Sequence, residues 1–124
     1  MEVQIDDGSK ILSVENAKHI DVVGTAYRGT VKATYAELVK MFGKPTYEGG
    51  DKVSVSWSLE FEVEEPDGIE LGEPDYDYVI ATVYDWKEPS TPTGEYDWHI
   101  GAKRRDGMRP VWLVNDYVAH ARKV

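Results

Sequence analysis

"KVSVSWSLEFEV", residues 52–63, alternates without a break. Val53, Val55, Trp57, Leu59, Phe61 and Val63 share one parity, and Lys52, Ser54, Ser56, Ser58, Glu60 and Glu62 share the other. Successive strand side chains point to opposite faces, so the pattern predicts a long strand with one apolar and one wetted face. An antiparallel sheet provides such a position. Turn signals follow at "EPDG" (65–68) and the acidic "ELGEPD" (70–75). "YDYVIATVYDWK" (76–87) then reads as a second strand, forming a hairpin with the first. "EYDWHIGA" (95–102) reads as a third, reached through "EPSTPTG". Trp57 lies squarely on the apolar parity and belongs to the core.

Upstream, "AYRGTVKATYAELVKMFGKP" predicts a strand running into a helix. Thr34 and Glu37 stand at capping-box spacing, and Tyr35, Leu38, Val39 and Phe42 recur at helical spacing. Gly43 supplies the stop and Pro45 forbids continuation. "HIDVVGT" and "KILSV" are read as further short strands. In "RPVWLVNDYVAHARKV", Pro110 suits a first helical position. Val111, Val114, Val118 and Ala121 form an apolar stripe, widened by Trp112 or Tyr117. The expected fold is α+β: an antiparallel β-sheet with two short helices, one after the first strands and one C-terminal. It forms a single domain over residues 1–124.

The net charge of −9 is unevenly placed. "KRRDGMR" (103–109) gathers four cations against one acid, leaving a net of −12 elsewhere. A nucleic acid polymer needs many cations to neutralise its phosphates, so it is not an expected partner. A local patch of +3 suits a small anion, or is simply a solvated turn. No apolar run is long enough to cross a membrane as a helix, and the N-terminus lacks the pattern of a secretory leader. With no cysteine there is neither a disulfide nor a thiolate metal site.

Enzyme signals are weak. Phosphate-loop, nucleophile-elbow and zinc-protease motifs are missing, and His19, His99 and His120 have no metal-ligand spacing. No cofactor or metal is expected. Binding signals are stronger. Trp86 and Trp98 fall on consecutive strands and could stack on a base, although core packing is the commoner fate of tryptophan. Arg109 immediately precedes the expected last helix, where free N–H groups and the helix dipole favour an anion. Arg28 stands between Tyr27, a stacking ring, and Gly29, which permits close approach. Tyr84, His99 and Arg105 complete the candidate ligand-binding set, with no catalytic residue among them.

Four blocks, "GTAYRGTVKATYAELVKMFGKP", "DKVSVSWSLEF", "ATVYDWK" and "YDWHIGAK", occur in order over residues 24–103. Together they resemble a widespread family of small bacteriophage proteins, and within it the chain looks most like the Thoeris anti-defence branch. Those proteins are sponges that sequester cyclic ADP-ribose isomers made by TIR-domain enzymes, and some bind cyclic oligonucleotides as higher assemblies. The resemblance implies an uncleaved cyclic nucleotide held at a subunit interface of a homodimer or larger homo-oligomer, in the cytoplasm of the infected bacterium. Arg28 lies inside the first block, whereas Arg109 lies beyond the last. Loop 88–95 lacks the charged insert common in relatives, so no ligand contact carries over there. The alternative reading is an acidic phage inhibitor that binds a host defence protein, acting as a nucleic-acid mimic. Glu60, Glu62, Glu64, Glu65, Asp75 and Asp77 would supply its surface.

Overall fold

The computed structural model describes residues 2–66, 72–73 and 75–123. Seven strands are present among them: β1 (Val3–Gln4), β2 (Lys10–Asn16), β3 (Thr25–Ala33), β4 (Tyr47–Glu48), β5 (Val55–Glu64), β6 (Tyr76–Tyr84) and β7 (Tyr96–Lys103). Helix α1 (Tyr35–Phe42) follows β3, a 3-10 turn occupies Arg104–Asp106, and helix α2 (Arg109–Ala121) closes the chain. The sheet order is β1-β2-β5-β6-β7-β3, with β4 extending the β2 side of β5, and every pairing is antiparallel. The α+β expectation holds.

The alternating stretch is the central strand β5. Val55, Trp57, Leu59, Phe61 and Val63 are buried, and their cross-strand partners Val83, Ala81 and Val79 on β6 are buried with them. This face packs under both described helices in one core containing Leu38 and Phe42 of α1 and Val111, Leu113, Val114 and Val118 of α2. Trp57 and Trp98 meet edge to face with centroids 5.5 Å apart. Each indole N–H finds a backbone acceptor at 2.9 Å, Gly43 O for Trp57 and Ala33 O for Trp98. Burial of each indole contributes at most about 4–6 kcal/mol by area. Tyr117 of α2 stacks on Phe42 at 5.4 Å and meets Phe61 at 6.2 Å, locking the two helices to the sheet.

Local signals explain the edges. The Thr34–Glu37 capping box is complete, and Gly43 ends α1 at φ 90°, a conformation costly for any residue with a Cβ. Residues 19–24 of the HIDVVGT segment are not a strand, and its last residue, Thr25, opens β3. The Asp21 carboxylate accepts from Val23 N at 3.0 Å and Thr25 N donates to Val22 O at 3.1 Å, so local turns replace a ladder. Helix α2 begins at Arg109 with Pro110 second, Leu113 joins its buried stripe, and Trp112 stays 58% exposed. Strands β1 and β4 escape prediction because two residues carry no readable alternation. Half of the residues in the expected turns at 65–68 and 70–75 lie outside the described residues.

Candidate functional site

The sheet face opposite the helices carries the site. On β7, Trp98, Ile100 and Ala102 are buried toward α2, so His99 and Gly101 project to the other side. Register sets Tyr84 opposite His99 and Thr82 opposite Gly101. On edge strand β3, Tyr27 pairs with Gly101 and brings its ring to 4.8 Å from that of His99. Trp86, just past the end of β6, lies 6.5 Å from His99 and nearly parallel to it. Tyr84 closes the group at 5.5 Å from His99 and 6.4 Å from Trp86. Burial holds the Tyr84 hydroxyl protonated above its ordinary pKa.

These four rings line a depression of about 420 Å3. Tyr84 and Trp86 also border a second of about 390 Å3, floored by Ser56, Thr82 and Gly101. Both volumes lie in the range of small-ligand sites. Tyr27 is 54% exposed and Trp86 39% exposed, so large aromatic faces meet solvent at the rim.

Trp86 is held by its backbone. The fully buried Asp85 carboxylate accepts from Ser54 N at 2.8 Å, Val55 N at 3.2 Å and Ser54 Oγ at 2.6 Å. Trp86 N donates to the Tyr96 hydroxyl at 3.3 Å, and Lys87 N donates to Lys52 O at 2.7 Å. Three consecutive residues are therefore tied to β5, to the residues before it and to β7. The Lys52 and Lys87 ammoniums lie 6.0 and 5.7 Å from the Trp86 ring centroid, within cation–π reach.

The fold thus unites Tyr27, Tyr84, Trp86 and His99, and separates others expected beside them. Trp98 is not a ligand platform: it is fully buried on the core face, one residue out of phase with His99. Arg109 is engaged elsewhere in its own chain. Its Nη2 pairs with Glu65, and its Nη1 reaches Glu65 at 3.2 Å and Asp77 at 3.4 Å. Asp77 pairs with buried Val63, so it belongs to the helix side, and seven residues of strand, roughly 23 Å, part it from Tyr84. Within its own chain the Arg109 guanidinium is thus taken up by two carboxylates. Arg105 is exposed at the 3-10 turn with Asp106 at 4.0 Å.

Arg28 occupies the extra position of a bulge between Tyr27 and Gly29. It makes no ion pair among the described residues. The close approach at Gly29 is made by α2, not by a ligand: a Cβ there would meet Val111 at 2.9 Å. Sequence reasoning missed Asp85, Tyr96, Lys52 and Lys87. The lysines carried a legible signal, since Lys87 directly follows Trp86 and Lys52 starts the alternating stretch.

No family model, curated protein or solved structure matches the chain. Among the described residues, no group of three or more His, Cys, Asp or Glu side chains could hold a metal, and no helix is long and apolar enough to cross a membrane.

Proposed function

We propose that the protein is a non-enzymatic binder of a small cyclic nucleotide, a phage anti-defence sponge that takes a cyclic ADP-ribose isomer out of circulation without cleaving it. The reading is carried by one observation: Tyr27, His99, Tyr84 and Trp86 converge around an open depression of about 420 Å3. Stacking a base on such rings contributes about 1–3 kcal/mol per ring. Arg28, next to Tyr27 and without an internal carboxylate partner among the described residues, supplies charge for a phosphate. The rings open to solvent on one side, so a second copy of the chain closing over them would slow release, as a stoichiometric decoy requires.

Isothermal titration with cyclic ADP-ribose isomers tests the reading. Saturable binding is expected, with intact ligand recovered after heat denaturation, and Arg28→Ala weakening it by about 1.5–3 kcal/mol. Absence of binding to every isomer, or recovery of hydrolysed product, overturns it.

A second reading, the acidic inhibitor, draws on the far end of the same face. Tyr76 and Tyr78 are 49% and 54% exposed there beside Glu62, whose carboxylate accepts from the Tyr78 hydroxyl at 3.2 Å. It predicts salt-sensitive capture of a basic host protein, lost in a Tyr78→Ala/Glu62→Gln variant and unaffected by Trp86→Ala.

A further inference from the structure

Six of the fourteen Lys and Arg side chains pair with a carboxylate within 4.0 Å among the described residues. Lys10 pairs with Glu2 and Glu64, Arg109 with Glu65 and Asp77, Arg122 with Glu37, and Lys103 with Asp21. Lys52 and Lys87 are among those that make no such pair, and what sets them apart is that both stand over the same exposed ring, Trp86.

Their placement is built into the backbone. Lys87 holds φ 55°, the one non-glycine residue with positive φ among the described residues. A side chain is disfavoured in that region, and such positions persist only where the surroundings impose them, often at binding sites. Here the bond from Lys87 N to Lys52 O, at 2.7 Å, and the buried Asp85 carboxylate on Ser54 and Val55 impose it. An ordinary surface lysine needs no such scaffold. The same contacts that fix Trp86 therefore also bring two ammoniums to within 6.0 Å of its ring centroid.

Resting on the nucleotide-binding reading above, we propose that Lys52 and Lys87 are the phosphate contacts of this site, so that it selects phosphorylated nucleotides over bare nucleosides. A base stacked on Trp86 at about 3.5–4 Å leaves its sugar and phosphate beyond the ring edge. The ammoniums, 5.7 and 6.0 Å from the ring centroid, reach that zone by swinging their flexible stems. A neutral nucleoside gains from the rings alone, whereas a phosphate or pyrophosphate also gains two charge-assisted hydrogen bonds. The cations that meet the anion are then lysines flanking the ring, in addition to Arg28, and not Arg109 of the same chain.

The test is titration of wild type, Lys52→Met/Lys87→Met and Trp86→Ala with cyclic ADP-ribose, ADP and adenosine. Methionine keeps an unbranched stem against the indole while removing the charge. Wild type is expected to bind at least one phosphorylated probe tenfold or more tightly than adenosine, about 1.4 kcal/mol. In the double lysine variant that ratio falls several-fold, to what Arg28 alone supplies, with adenosine affinity unchanged, and Lys52→Arg/Lys87→Arg restores it. Trp86→Ala weakens all three probes. A ratio that survives in the methionine variant, with its melting temperature unchanged, overturns the lysine assignment while leaving nucleotide binding intact. Failure of wild type to bind any probe overturns the nucleotide reading itself, and the lysine assignment with it.

Discussion

Tyr84 and His99 stand directly opposite one another across the β6–β7 ladder, with ring centroids 5.5 Å apart and planes at 75°. The register that makes them neighbours also sends Trp98, one residue away, through the sheet to the core. Strand parity thus divides the aromatics of "YDWHIG" into a binding ring and a packing ring.

The exposed rings should behave as ligand contacts and not as core. Tyr27→Ala and Trp86→Ala are each expected to weaken nucleotide binding by about 1–3 kcal/mol. Their melting temperatures should fall only modestly, because Tyr27 and Trp86 keep 54% and 39% of their surface in solvent. Calorimetric titration paired with thermal melting checks both halves.

Trp98 should show the opposite behaviour. Trp98→Phe removes the N–H that satisfies Ala33 O and opens space beside Trp57. A loss of about 1–3 kcal/mol in urea unfolding is expected. Ligand affinity of the folded fraction should be unchanged, since the indole does not reach the open face.

Arg109→Ala should act on stability. The guanidinium ties the start of α2 to Glu65 and Asp77 at the far end of the β5–β6 hairpin. Its side chain is 23% exposed, and that of Asp77 54%, so the expected cost is about 1–2 kcal/mol. Hydrogen exchange should report faster opening at residues 62–65 and 76–79, with residues 98–102 unaffected.

Acid should loosen the joint between the helices. Glu37 bonds the Arg122 guanidinium at 2.8 and 3.1 Å and accepts from Thr34 N at 2.9 Å. The arginine first, and then the Thr34 amide, pull its pKa from the ordinary 4.5 down to about 2. Its folded pKa lies below its unfolded one, so its contribution is full above pH 4.5 and fades as the pH falls toward 2. Glu37→Gln should flatten the stability-versus-pH curve in that interval, measured by urea midpoints across the acid range. A third of the Glu37 side chain is exposed, so the change is modest.

Much of the fold was legible because its signals are local. Alternation over 52–63 requires a strand with one buried face, whatever its neighbours. The Thr34–Glu37 box and Gly43 bracket a helix through bonds made within a few residues. HIDVVGT was misread because propensity competes there with an Asx turn at Asp21, a hydrogen bond that hydrophobicity does not register.

The candidate site was legible only in part. Tyr27, Tyr84, Trp86 and His99 could be singled out as aromatics in suggestive company, but their convergence depends on the order β6-β7-β3 and on a register that brings Tyr27 against His99, 72 positions away. Arg109 misled because a guanidinium at a helix start reads equally well as an anion contact or as one half of an ion pair. The distant Glu65 and Asp77 settle which it is within the chain.

By itself, then, the amino-acid order determined the three long strands β5, β6 and β7, both helices, and the apolar side of β5, since neighbouring residues along one backbone control these. Only the tertiary structure decided that Trp98 is core, that Arg109 is already paired, and that two lysines flank Trp86. Those outcomes rest on which distant strand lies alongside, in what register, and on which carboxylates that pairing brings within hydrogen-bond reach.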